Sequence, residues 1–210
     1  YMSFAKLEDA ITVPLFPLRI VLFPAGRHDL QIFERRYIDM VTDCLKSGTP
    51  FGICSIEAGT EARTADSSQS VSRIGTLARI IDWNQLDNGL LCITIEGTTK
   101  FRVEDCWESD TDLLMGEVVL SEGDTIDGEP VAYSDEFDEL VEVLKGLEEH
   151  PLVAEKNLDI EYENLWQLGW HLSGLIPMGE NIRQALLERD DPKARAESLM
   201  QLLKELAGED

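Results

Sequence analysis

Residues 11–24 read ITVPLFPLRIVLFP, an apolar run interrupted by Pro14, Pro17 and Pro24. Proline lacks an amide donor and its ring clashes with a preceding helical turn, so this run is no helix. Within a sheet, proline is confined to edges, first positions and bulges. The run is therefore read as an edge or bulged strand, with Pro24 ending the next short segment. A proline-bearing edge also resists extension by further sheet pairing. On this reading, the chain begins as β structure.

Outward from the run, the pattern stays β with one inserted helix. Asp29–Phe33 is strand-like. Phe33, Tyr37, Met40, Val41, Cys44 and Leu45 then fall on one stripe of a helix. Gly48 offers a left-handed residue past its end, and Pro50 prevents continuation. FGICSIE (51–57) resumes a buried strand, and 58–72 is small, polar and loop-like. IGTLARIIDW (74–83) and LLCITIE (90–96) flank Asn88-Gly89, a pair suited to a hairpin turn. Stretches 100–106 and 113–120 continue the spacing, which suggests a sandwich or small barrel.

After the acidic, turn-rich EGDTIDGEP (122–130), the pattern is helical only. Ser134, with Asp135 and Glu136 behind it, can open a helix carrying Phe137, Leu140, Val141, Leu144 and Leu147 inward. Further helices are expected near 161–176 and 180–189. Asp191-Pro192 is a cap followed by a first-turn proline, opening a last helix with Leu199, Leu202, Leu203 and Leu206 inward. Trp166 and Trp170 border a leucine stripe and read as packing residues. Trp83 and Trp107 read as strand-end residues covering a barrel mouth.

Charge narrows the partners. With 41 acidic residues against 18 basic, the net charge is −23, which repels phosphate backbones and anionic lipid. Residues 104–163 hold 21 of the acids against Lys145 and Lys156 alone. No stretch approaches the roughly 18–20 apolar residues of a membrane span, and the N-terminus lacks a secretory signal. Cys44, Cys54, Cys92 and Cys106 are widely spaced and read as reduced thiols of a cytoplasmic protein. His28, His150 and His171 show no metal-ligand spacing, and no phosphate loop, dinucleotide fingerprint or nucleophile elbow occurs. Neither a catalytic residue, a metal site nor a cofactor is expected.

In order and spacing, these pieces resemble the LON N-terminal, or LON substrate-binding, domain family. The resemblance is carried by VPLFPLRIVLFPAGRHDLQIFERRY (13–37), CLKSGTPFGIC (44–54), IGTLARIIDW (74–83) and IEGTTKFRV (95–103), and in the C-terminal part by LGWHLSGLIPMGENIRQALLERDDPKARAESLMQLL (168–203). It implies an α+β chain: a PUA-like β-barrel with an inserted helix over 1–122, then a helical bundle over 131–210. IFERRY (32–37) is more like the short stand-alone bacterial members than the full Lon protease. The 210 residues match neither the phosphate loop of the family's ATPase module nor its protease nucleophile motif, so neither activity is carried over.

What the resemblance leaves is binding: of unfolded or partly folded polypeptides, or of a protease or chaperone partner. An apolar groove or sheet edge with a few polar groups suits that task. Phe16, Pro17, Phe33, Glu34, Arg36 and Tyr37, where the proline run meets the inserted helix, are the candidate residues. Phe33 and Tyr37 also fit a core role, and Glu34 with Arg36 a local ion pair. A PUA-like RNA reader, or a small-ligand protein with a pocket between barrel and bundle, remains the alternative.

Overall fold

The computed structural model of the chain describes residues 4–56, 70–87 and 90–208. The expected Asn88-Gly89 turn and most of the 58–72 loop lie outside these. The described residues form six strands: β1 (Ile11–Leu18), β2 (Arg27–Ile32), β3 (Phe51–Ile56), β4 (Val71–Gln85), β5 (Leu91–Glu108) and β6 (Leu114–Thr125). They form one mixed sheet in the order β2-β5-β4-β3-β1-β6, with β5 also pairing β6. Among the described residues, only β1–β3 is parallel.

The prolines of β1 follow from a change of partner within the strand. Ile11–Pro14 pair with β6, and Leu15–Leu18 pair with β3. Each half thus carries a ladder on one side, where a missing amide is tolerated. Val13 and Leu15 enter one core cluster with Phe101, Val103 and Val118, while Phe16 enters a second with Phe51, Ile53, Tyr37, Met40 and Val41. A strand buried on both faces reads as a continuous apolar run.

Where the resemblance implies a PUA-like β-barrel, the described strands form a single mixed six-stranded sheet, in which β5 pairs with β2, β4 and β6. Stretches 90–96 and 100–106, expected as separate strands, are one strand of 18 residues. Its first half, Leu91–Glu96, pairs with β2, and its second half, from Thr99 on, pairs with β6. Among the described residues, β5 is the one partner strand of β2, which therefore lies at the sheet margin.

Gly97 lets β5 run through unbroken. A Cβ there would lie 2.2 Å from the Phe23 carbonyl oxygen. The 23–26 turn packs into that space, with Ala25 N–H donating to Gly97 O and Gly97 N–H to Gly26 O, both at 2.9 Å.

Between β2 and β3 lies α1 (Arg35–Ser47), burying Tyr37, Met40, Val41 and Cys44; Gly48, at φ 68°, donates to Cys44 O at 2.8 Å. Two residues of the expected stripe lie off it. Phe33 precedes the helix and is 73% exposed, and Leu45 is exposed. The C-terminal part holds α2 (Asp138–Glu148), the one-turn α3 (Pro151–Ala154), α4 (Leu165–Leu175), α5 (Glu180–Leu187) and α6 (Pro192–Ala207). Ser134 does not cap as expected: its hydroxyl donates to Glu136, and a short 3-10 turn precedes α2. Asn164 caps α4 through Trp166 N–H, later than the expected start at 161, and Asp191 caps α6 through Lys193 N–H. Trp166 and Trp170 stack in the helical core with ring centroids 5.9 Å apart, whereas Trp83 and Trp107 lie within strands and are exposed.

Sheet and helices share one apolar core: Val21 and Phe23 from the β side pack among the α2, α4 and α6 residues. A buried ion cluster joins them as well. Asp124 of β6 contacts Lys100 Nζ of β5 at 2.5 Å and Arg195 Nη1 of α6 at 2.8 Å, and all three side chains have no exposed surface. Trp170 Nε1 donates to the same carboxylate at 2.8 Å, and Lys100 also reaches Asp190 at 2.7 Å. Burial opposes the Asp124 charge, but Arg195 and Lys100 outweigh it and hold its carboxyl below the usual range.

Candidate functional site

The six candidate residues line one groove of about 390 Å³, completed by Leu18, Gln31, Ile32 and Ile56. β1 supplies its floor and the β2–α1 junction its wall. Phe16 stacks on Tyr37 with ring centroids 4.0 Å apart, and both are buried, as is Pro17. Tyr37 is thus a core residue that also lines the groove. Phe33 stands free at the lip, because helix α1 starts two residues after it.

The polar side of the groove is a fixed constellation around Arg36. Its guanidinium meets Glu34 Oε2 at 2.9 Å, donates from Nη1 to the Asp112 carbonyl at 2.8 Å, and lies 4.6 Å from the Tyr37 ring centroid. Three contacts at one guanidinium orient it rigidly. Glu34 spends its carboxylate on Arg36, so its side chain makes no helix cap although it occupies the cap position of α1. Behind Arg36 the surface continues into a cleft of about 640 Å³ with Asp39, Asp43 and Asp112 on its rim. The arrangement is an apolar slot with one exposed aromatic and a polar clamp, suited to holding a side chain and its backbone.

Elsewhere, two histidines that sequence spacing separates come to one place. His28 of β2 and His171 of α4 both line a small cavity where sheet meets helices, with Phe23, Arg27, Lys156 and Trp170 among its walls. Burial pushes the proton affinity of both down to about 4. His150 is apart from them and caps α3 through Leu152 N–H. Periodicity could not reveal this pairing, since β2 and α4 meet only through the tertiary fold. Glu96, between Arg27 (2.8 Å) and Arg79 (2.5 Å), fastens the start of β2 to the sheet. Among the described residues, no cluster of three or more His, Cys, Asp or Glu side chains could hold a metal ion, and no helix is long and apolar enough to cross a membrane.

Comparison with known proteins adds to this geometry. The fold is similar to the Lon N-terminal domain protein from Xanthomonas campestris, with a TM-score of 0.73 and 33% identity over 91% of this chain and 98% of that one. The N-terminal domain of Mycobacterium avium complex Lon protease shares the fold at a TM-score of 0.60 and 17% identity, covering 91% and 97% of the two chains. Among curated proteins, Lon protease 3 of Sorangium cellulosum is 27% identical over 198 residues, and a Lon protease of Cytophaga hutchinsonii 28% over 208. These matches cover 91% and 94% of this chain but only 23% and 24% of those relatives. The family model for the ATP-dependent protease La (LON) substrate-binding domain matches residues 12–205. The chain therefore belongs to the LON substrate-binding domain family.

Proposed function

We propose that the chain is a non-catalytic, cytoplasmic module that binds exposed segments of unfolded or partly folded polypeptides through the Phe16–Tyr37 groove. The observation that carries this reading is Phe33: a large aromatic, 73% exposed, set at the lip of an apolar slot beside a rigid Arg36–Glu34 clamp. An exposed aromatic beside a concave apolar surface is the usual anchor of a binding patch. The family's substrate-binding description and its matches to Lon proteases support polypeptides, or a protease that receives them, as partners. In this reading residues 1–122 carry the groove and residues 131–210 brace it through the Lys100–Asp124–Arg195 cluster. A charge of −23 argues against RNA as the ligand.

The test is fluorescence anisotropy with a labelled, permanently unfolded polypeptide. Phe33→Ala is expected to weaken binding at least about fivefold, with the thermal midpoint unchanged because the ring packs on little. Absence of binding by the natural chain, or equal affinity in the variant, would overturn the proposal.

A further inference from the structure

The Phe16–Tyr37 groove does not end at Arg36. Glu34 and Arg36 also line the neighbouring cleft of about 640 Å³, so slot and cleft form one continuous surface. The cleft lies between α1 and the 109–113 turn, and that turn is fixed. Ser109 N–H donates to Leu113 O at 2.8 Å and Asp112 N–H to Ser109 O at 3.0 Å, while Arg36 holds the Asp112 carbonyl against α1 at 2.8 Å. Met40, buried, and Leu113, half-buried, give the cleft an apolar lining.

Its charges do not cancel. Four acids line it against two arginines. Glu34 meets Arg36 at 2.9 Å, and Asp39 meets Arg35 at 3.0 Å. Asp43 and Asp112 remain, both exposed, and among the described residues neither carboxylate pairs with a cation. Two unmatched acids beside apolar surface suit a lysine or arginine, which lays its aliphatic stem on the apolar part and keeps its charged head in water. A carboxylate in the same place would meet like charge. We propose that the polypeptide segments held in the groove are selected for a basic residue close to their apolar anchor. The anchor occupies the slot beside Phe33, and the lysine or arginine passes Arg36 into the cleft, its head beside Asp43 and Asp112. Such selection presupposes the polypeptide-binding role proposed above and gives it a sequence preference.

The test uses two labelled, unfolded peptides of identical composition, each with one phenylalanine and two lysines in an otherwise uncharged sequence. In one the lysines flank the phenylalanine within about four positions, and in the other they lie at least about twelve positions away, about 40 Å in an extended chain. General attraction to the −23 charge acts on both, since their net charge is the same. Anisotropy titration at about 0.15 M salt should show the first isomer binding at least about threefold tighter. Asp43→Asn with Asp112→Asn should erase that difference; asparagine tolerates the φ of 57° at position 112, so the turn is kept. Glu139→Gln with Glu197→Gln removes as much charge from exposed positions on α2 and α6 and should leave the difference intact. If neither isomer binds, or Phe33→Ala changes neither affinity, the polypeptide-binding role falls and the selection with it. Equal binding of the two isomers, a difference that survives the asparagine variant, or one that disappears in the glutamine variant would overturn the selection alone.

Discussion

Asp124 has no exposed surface, yet it meets two cations and an indole N–H. Taking such charges out of water is expensive, and their mutual attraction offsets the cost only while all partners are present. Asp124→Asn keeps the shape but leaves Lys100 and Arg195 buried together with no full counter-charge nearer than Asp190. Loss of one partner of a buried pair typically costs about 3–5 kcal/mol, so the urea midpoint should fall steeply; a change under about 1 kcal/mol would show the cluster to be dispensable. Nothing in the local pattern marks these residues. Lys100 stands in a β stretch, Asp124 in what reads as a connector and Arg195 on a helix, and only the fold brings them together. Phe33 is the opposite case: its number fits the helical stripe, but its position before the first turn of α1 puts it outside the core.

At the scale of elements, legibility follows locality. Four of the six stripe residues of α1, its Gly48 terminus and the Asp191-Pro192 start of α6 rest on neighbours within a turn or two, and each occurs where the sequence places it. The proline run was legible as β but not as a strand that changes partner at its middle, because that depends on β3 and β6. The continuity of β5 was hidden for a similar reason. Gly97 followed by two threonines resembles a turn, whereas its role is to admit the 23–26 backbone from another segment. Gly97→Ala tests this directly. The added methyl meets backbone atoms of Phe23 at 2.2 and 2.9 Å, which cannot swing away as a side-chain tip could. Overpacking of this kind costs about 1–3 kcal/mol. The expected result is a lowered thermal midpoint together with faster exchange of the Ala25 amide, which donates to Gly97 O; an unchanged midpoint would mean that the turn does not need this contact.

The candidate groove was legible as a set of residues because its six members lie within 22 positions at one junction, while the histidine cavity needed β2 and α4 to meet across more than 140 residues. That same meeting gives the whole molecule its expected response to acid. His28 and His171 sit in the seam between sheet and helices, and both have proton affinities lowered from 6.5 to about 4, first by burial. Between these values the unfolded chain binds more protons than the folded one, so stability falls as pH drops through the window. For His171 alone, at about 1.4 kcal/mol per pH unit, the loss approaches roughly 3 kcal/mol by pH 4; half-buried His28 acts in the same direction. Glu96 and Asp124, held below the usual carboxylate range by their cations despite burial, stabilise the fold above that range and lose their contribution only at lower pH still. The urea midpoint should therefore decline between pH 6.5 and 5, and decline less in His171→Phe, which has no imidazole to protonate. A midpoint that stays flat across this window, or an equal slope in the variant, would show that the seam does not hold its histidines neutral.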